Sequence, residues 1–169
     1  MAILDAIEHD IVNSLKKFID DCEEWDKNSY WTSGVKDKLI ELGHELGYLV
    51  ATSKKKGKAD WGEWLYDLIW YENHDSGTMR LKNMPLACEI EWDYSFGEIQ
   101  HDFEKLLVAR TQHRLMILQA DNHAEIIKTF NALDIIVDGF ELKQSGDRYL
   151  YIGYDCTKYV FTSYVKVVK

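Results

Sequence analysis

The order of helical and strand-like segments is the feature that most constrains how this chain can fold. Apolar residues recur first at helical spacing and later at strand spacing, so the period assigns each segment. The first half predicts a helix at 3–24, a polar and aromatic loop at 25–34, a helix at 33–45, and strands at 48–52, 64–71 and 86–92. Pro85 stands at the start of the third strand, a position where proline is tolerated. The second half predicts a helix at 96–112, a strand at 114–120 and a helix to about Ile135 with Asn122 as its cap. It ends with antiparallel strands at 148–155 and 158–168, joined by a tight turn at 155–157. This order predicts an α/β fold, of the α+β kind, built on a mixed sheet.

Length and residue usage fit one domain without a membrane segment. The chain has 169 residues, and its one proline, Pro85, lies in no linker-like stretch, so we expect residues 1–169 to form a single domain. Cys22, Cys88 and Cys156 are odd in number and widely spaced, which favours reduced structural thiols over disulfides or a zinc site. No apolar stretch reaches the roughly 18 residues that a membrane span needs, and the acidic N-terminus lacks the basic start of a signal peptide. A cytoplasmic location is therefore expected.

The formal net charge of −9 disfavours non-specific binding to nucleic acid, because the chain repels polyanions on average. It leaves open an enzyme that acts on nucleic acid through a local basic patch and a bound divalent cation. The basic run SKKKGK supplies candidate phosphate contacts in Lys54, Lys55, Lys56 and Lys58. The same run is also typical of a solubilising turn between strands, and that interpretation stays open.

Three acidic residues, Asp67, Glu89 and Glu91, lie in segments that otherwise resemble core strands. Ionised carboxylates rarely occupy a central strand unless they are paired or hold a cation, because removing them from water is costly. Side chains two positions apart share one face of a strand, so Glu89 and Glu91 point the same way. The opposite, core-facing side carries Leu86, Cys88, Ile90 and Trp92.

An antiparallel hairpin between the second and third strands, centred near Thr78, would place Asp67 directly opposite Glu89. Three carboxylates on one patch need a neutralising lysine or cation, since like charges at that distance repel. Because Mg²⁺ and Mn²⁺ prefer carboxylate oxygens, this register predicts a metal site formed by Asp67, Glu89 and Glu91. The alternative is a solvated sheet face that carries acidic residues without a ligand.

The element order, together with the spacing of these acidic residues, resembles the PD-(D/E)XK nuclease superfamily. The resemblance runs from the helix at 33–45 to the strand at 114–120 and implies a restriction-endonuclease-like αβββαβ core. The first helix, the last helix and the final hairpin would be additions to that core. A helix-borne acid often supports the metal in this superfamily, which implies that role for Glu45 or Glu41.

The motif of the superfamily implies a role for each residue that matches it. The acid of the second strand and the first acid of the third strand hold the metal, which implies that role for Asp67 and Glu89. The next motif position, usually lysine, holds Glu91 here, and Tyr66 rather than proline precedes Asp67. The resemblance implies that Lys105, on the following helix, takes the place of the missing lysine.

These residues support two classes of function. The resemblance implies Mg²⁺-dependent hydrolysis of phosphodiester bonds, in which the metal activates water and Lys105 stabilises charge on the phosphate. The alternative is a non-catalytic acidic module that binds a basic protein, either an immunity-type protein or a nuclease fold without activity. The first helix would pack on the sheet or, in a homodimer, form the seam between subunits.

Overall fold

The computed structural model describes residues 2–20, 28–53, 58–74 and 80–169. Within these residues the chain forms four helices and six strands. The helices are α1 (Ala6–Asp20), α2 (Asn28–Glu45), α3 (Phe96–Leu107) and α4 (His123–Gly139). The strands are β1 (Leu49–Thr52), β2 (Leu68–Asn73), β3 (Leu81–Glu91), β4 (His113–Ala120), β5 (Arg148–Asp155) and β6 (Val160–Val167). The predicted mixed α/β class is confirmed.

The strands form one mixed sheet in which the spatial order follows the chain order from β1 to β6. An antiparallel meander comprises β1, β2 and β3, whereas β3, β4 and β5 run parallel to one another. Parallel neighbours need a crossover, which α3 supplies between β3 and β4 and α4 supplies between β4 and β5. The final strand β6 returns antiparallel to β5, which confirms the predicted hairpin.

Helices cover both faces of the sheet, so its central strands are buried on both sides. The first two helices pack on the face that carries Leu86 and Cys88, which confirms that this side faces the core. The last two helices pack on the face that carries Ala87. Glu89 belongs to this second face, because strand residues two apart point the same way. The apolar face of α1 is buried in the first core, which confirms that the first helix packs on the sheet.

The start of α2 differs from the prediction. The helix begins at Asn28, inside the segment predicted as a loop, so the loop prediction is wrong from that residue onward. Trp31 is 4% exposed, and its ring centroid lies 4.5 Å from that of Tyr154 on β5. Packing against the sheet thus makes a helix of a segment whose polar and aromatic composition favoured a loop.

The bounds of β2 and β3 also differ from the prediction. The second strand begins at Leu68, so Asp67 stands just before it. The third strand begins at Leu81 and contains Pro85, which was expected to start it. Its pairing with β2 shifts register between Trp70 and Glu72, the stretch that faces Pro85. Because proline has no N–H to donate, this irregularity in the ladder accommodates it inside the strand.

The helix ends are partly as expected. The predicted cap of α4 is confirmed, since the Asn122 side chain accepts the backbone N–H groups of Ala124 and Glu125. The same helix continues to Gly139, and α3 ends at Leu107, earlier than predicted. Residues 21–24 of the predicted first helix lie outside the described residues.

Two further expectations concern the thiols and the membrane. Cys88 and Cys156 are both free thiols, as predicted, and Cys88 is buried. Cys22 lies outside the described residues. None of the helices in the described ranges combines the length and the apolar character needed to cross a membrane.

Candidate functional site

The β2–β3 ladder has the register that the sequence predicts. Leu68 pairs with Cys88, Ile69 with Ala87, and Trp70 with Leu86. Asp67 comes one residue before the first pair and therefore stands beside Glu89. Its Oδ2 accepts the backbone N–H of Ile90 at 3.0 Å, which fixes the carboxylate against β3.

The backbone leading to Asp67 turns sharply before it enters β2. Leu65 has a φ of 66°, in the left-handed region that branched side chains rarely adopt. Trp64 and Tyr66, on either side of it, form an isolated antiparallel bridge. The Thr52 hydroxyl donates to the Asp67 carbonyl at 2.6 Å. These contacts hold Asp67 at the junction of β1, β2 and β3.

A buried lysine pairs with Asp67 from the α2 side. Lys36 Nζ lies 3.0 Å from Asp67 Oδ1 and also donates to Ser53 Oγ at 3.0 Å. The Lys36 side chain is 5% exposed, and a buried ammonium of this kind needs its charge partner and its hydrogen bonds. Lys36 was not predicted from the sequence as part of the site. The available signal was its position three and four residues before Leu39 and Ile40, on the buried stripe of α2.

A second lysine pairs with Glu89 from the α3 side. Glu89 is 1% exposed, and its Oε1 lies 2.8 Å from Lys105 Nζ. The same ammonium lies 3.0 Å from Asp102 Oδ1. Lys105, to which the superfamily resemblance assigns the role of the missing lysine, thus reaches the acid of the third strand. Asp102 was not predicted from the sequence as part of the site, although it precedes Lys105 by three residues and so shares its helix face.

The two partners of this ion pair titrate differently. Burial raises the pKa of Glu89 to about 8, against the contact with Lys105, which lowers it. The negative charges of Asp67 and Asp102 raise it further. Burial lowers the pKa of Lys105, but its contacts with Glu89 and Asp102 outweigh burial, so the net shift is upward. Lys105 therefore stays charged, and Glu89 holds its proton more tightly than an ordinary glutamate does.

Glu91 lies at the half-buried edge of the same patch. Burial raises its pKa, the Asp93 N–H donated to Oε1 at 2.6 Å lowers it, and the nearby charge of Asp102 raises it again. Glu91 and Asp102 are thus neighbours. The carboxylate patch comprises Asp67, Glu89, Glu91 and Asp102, with Lys36 and Lys105 as its cations.

The structure does not bring Glu45 to this patch. Glu45 is exposed at the end of α2 and lines a groove with Asp10 and Asn13 of α1. Glu45 is the last residue of α2 and comes shortly before Leu49, where β1 begins. Asp67 lies near Thr52, at the opposite end of β1. Glu41, the other helix acid considered, is exposed and pairs with Lys38 at 2.9 Å.

The basic run lies mostly beyond the described ranges. Lys54, Lys55 and Lys56 are outside the described residues. Lys58 is exposed, and its Nζ lies 2.9 Å from Asp37 Oδ2. That contact neutralises one of the charges predicted to meet phosphate.

The donor set of the carboxylate patch fits a hard cation in two respects. Four carboxylates face two lysines, which leaves an excess of negative charge, and the raised pKa of Glu89 shows that Lys105 compensates its charge only in part. Mg²⁺ usually binds one or two protein carboxylates and completes its shell with water and phosphate. Asp67 and Glu89 are the two acids that the superfamily resemblance assigns to that role, and they take their lysines from different helices, α2 and α3.

The predicted triad of Asp67, Glu89 and Glu91 is not preassembled. In the described ranges, the three donor atoms that come within 4.8 Å of one another belong to Asp5, Glu8 and His113. In that cluster both carboxylate oxygens of Glu8 already bind Arg148, at 2.8 and 2.6 Å. A guanidinium therefore occupies the place that a cation would need.

The chain was also compared with protein-family models, with curated proteins and with solved structures. None of the three comparisons found a match.

Proposed function

We propose that this chain hydrolyses phosphodiester bonds of nucleic acid with the help of Mg²⁺, on a restriction-endonuclease-like core that runs from α2 to β4. The observation that carries the proposal is the approach of Lys105 to Glu89 beside Asp67. A working site needs a cation near its acids, and Lys105 provides one from the helix that follows the third strand. The antiparallel meander, the crossover helix and the parallel fourth strand support the fold part of the proposal.

Each residue of the site has a role in this proposal. Asp67 and Glu89 would hold Mg²⁺, which when bound acts as a Lewis acid on the phosphate and lowers the pKa of water. Glu89 must lose its proton to bind a cation, so its raised pKa limits binding at low pH. Lys105 is 39% exposed and can transfer its contact from Glu89 to a phosphate oxygen, where it would stabilise the developing charge.

A second candidate is the non-catalytic protein-binding module, which a different observation favours. Asp67 and Glu89 each have a lysine partner, so the folded chain places a cation beside both acids without a metal. Trp61 and Tyr159 are 57% and 52% exposed, and such rings on an acidic chain would anchor a basic partner.

A cleavage assay separates the two candidates. Supercoiled DNA and single-stranded RNA are incubated with the parent chain in Mg²⁺ or Mn²⁺, and with the variants Glu89→Gln and Glu125→Gln. Glu125 is an acid of α4 outside the carboxylate patch, so its variant controls for the loss of one negative charge.

The proposal expects cleavage that chelation of the metal abolishes, that Glu89→Gln slows at least about a hundredfold, and that Glu125→Gln leaves unchanged. No cleavage by the parent, or equal cleavage by the parent and Glu89→Gln, would overturn it. The protein-binding candidate would then take its place.

A further inference from the structure

Trp61 is an exposed aromatic residue on the same side of the sheet as Glu89. It is 57% exposed and forms an isolated parallel bridge with Ala51 of β1. The Trp61 N–H donates to the Val50 carbonyl at 3.2 Å, and the Trp61 carbonyl accepts the Thr52 N–H at 3.2 Å. Side chains of paired residues point to the same face, and Ala51 packs in the second core, on the face to which Glu89 belongs. The Trp61 ring therefore lies on the side of the carboxylate patch.

The sheet register places Trp61 a short distance from the acids of the patch. Trp61 bridges β1, which pairs with β2, and β2 pairs with β3. Neighbouring strands lie about 4.8 Å apart and successive residues about 3.3 Å apart, so the backbone of Trp61 is about 12 Å from that of Asp67 and about 16 Å from that of Glu89. A strand of nucleic acid held at the patch would reach the Trp61 ring within a few nucleotides.

The chain around Trp61 is locally basic. Residues 54–63, which follow β1, carry four lysines and two acids in a chain whose formal net charge is −9. Lys58 pairs with Asp37, but its side chain is 61% exposed, and an exposed ion pair of this kind is weak enough to exchange for a phosphate. A polyanion that the whole chain repels is therefore favoured beside Trp61, whereas a basic protein is not.

An exposed ring beside a basic segment suits a single strand of nucleic acid. Proteins that bind single strands combine cationic side chains, which follow the phosphate backbone, with aromatic rings on which the bases stack. The bases of a duplex already stack on one another, so a duplex would gain the phosphate contacts without the stacking contact. The ring thus distinguishes an unpaired strand from a paired one.

We propose that Trp61 stacks on an unpaired base of a single-stranded nucleic acid whose phosphates contact the lysines of residues 54–58. This inference rests on the proposed hydrolysis and narrows its substrate to single-stranded DNA or RNA. Trp61 acts as a positioning residue, because it holds the strand a few nucleotides from the acids and does not touch the scissile bond.

The test measures binding in EDTA, so that no metal-dependent cleavage occurs and the result does not depend on hydrolysis. Fluorescence anisotropy follows a labelled oligothymidylate and a labelled oligouridylate, each of about twelve nucleotides, and a hairpin duplex of similar length. At least one single strand should bind about tenfold or more tightly than the duplex, and the tighter strand identifies the sugar. No binding of either strand at about 100 μM protein, or equal binding of the duplex, would overturn the proposal.

Two variants at Trp61 separate stacking from a general apolar contact. Trp61→Leu removes the ring and should weaken binding of the single strand by about fivefold or more, whereas Trp61→Phe keeps a ring and should lose less. Neither should change binding of the duplex. Leu142→Ala, which removes a 78% exposed apolar side chain at the α4–β5 connection, is the control and should leave all affinities unchanged. Equal affinity of the parent and Trp61→Leu for the single strand would overturn the proposal.

Cleavage of the same oligonucleotides in Mg²⁺ keeps this inference apart from the proposed hydrolysis. Cleavage that both Trp61→Leu and Glu89→Gln slow would support both. Cleavage that Glu89→Gln slows and Trp61→Leu leaves unchanged would overturn the role of Trp61 and leave the hydrolysis standing. Binding that depends on Trp61, without any cleavage, would overturn the hydrolysis and leave the single-strand surface standing. Binding of an oligolysine peptide in place of either strand would overturn the inference in favour of the protein-binding candidate.

Discussion

Lys105 Nζ lies 2.8 Å from Oε1 of Glu89 in an ion pair whose acid is 1% exposed and whose base is 39% exposed. The two partners therefore differ in what they can do next. Lys105 contacts solvent and Asp102, so it can leave Glu89 for another anion. Glu89 has almost no contact with solvent and needs either a proton or a new cation when Lys105 leaves. This asymmetry is what a site for a metal and a phosphate would require.

The buried Glu89 should make stability depend on pH. Its pKa is about 8 in the folded chain against an ordinary value of 4.5, so the folded state holds the extra proton. The resulting stabilisation is complete below pH 4.5 and is lost as the pH rises through 8. Glu89→Gln removes this dependence. Between pH 5 and pH 8 the free energy of unfolding of the parent should therefore fall by roughly 3 kcal/mol relative to that of the variant. Urea unfolding at both pH values measures it, and parallel pH profiles would contradict the burial of Glu89.

Removing the charge of Lys105 should destabilise the folded chain, because Glu89 stays buried without a cation. Lys105→Met leaves Glu89 without its cation, so we expect a loss of about 1–3 kcal/mol at pH 8 and a smaller loss at pH 5, where Glu89 is protonated. Lys128→Met is the matched control, because Lys128 pairs with Glu125 on the exposed face of α4. The control should cost less than about 0.5 kcal/mol at either pH. A loss for Lys105→Met that is the same at pH 5 and pH 8 would refute this interpretation.

The contact between Lys36 and Asp67 should show strong coupling. Lys36→Met and Asp67→Asn each leave a partner without its opposite charge, and each should cost about 2–4 kcal/mol. The double variant leaves no unpaired charge, so it should cost less than the sum of the singles by at least about 1 kcal/mol. A double-mutant cycle by chemical denaturation measures the coupling. Additive effects would mean that the two side chains do not interact in solution.

The sequence predicts the acidic half of the site better than the basic half. The register of Leu68 with Cys88 follows from the alternation within two strands and the length of their connection, both of which are local. Lys105 was predicted only through the resemblance to the nuclease superfamily. Lys36 and Asp102 were missed because a lysine on a helix is normally solvated, and only the packing of α2 and α3 on the sheet shows which helix face is buried.

In the fold too, features that depend on nearby residues were predicted from the sequence, and features that depend on distant residues were not. Asn122 was recognised as a cap because its contacts lie within three residues. The first turns of α2 were not recognised, because Trp31 is stabilised by Tyr154, which is distant in sequence. Pro85 was placed at the start of a strand because a register shift in the neighbouring ladder cannot be read from the sequence of one strand.

The packing of α2 on the sheet can be tested at a glycine. A Cβ on Gly43 would lie 2.6 Å from Nε1 of Trp70, which donates to the Leu39 carbonyl at 2.9 Å. Gly43→Ala should therefore destabilise the chain by about 1–3 kcal/mol. Gly139→Ala is the control, because a Cβ there meets nothing within 4 Å, and it should be neutral or stabilising by up to about 1 kcal/mol. Thermal or urea unfolding of both variants gives the comparison, and a neutral Gly43→Ala would contradict the close approach of α2 to β2.

The most direct test of the proposed site is a calorimetric titration of Mn²⁺ into the parent chain and into Asp67→Asn, with circular dichroism to show that both are folded. Mn²⁺ takes the same oxygen ligands as Mg²⁺. We predict saturable binding to the parent that becomes tighter as the pH rises from 6.5 to 8, because Glu89 must lose its proton, and no measurable binding to Asp67→Asn. No binding to the parent, or equal binding to both chains, would contradict a metal site at Asp67 and Glu89.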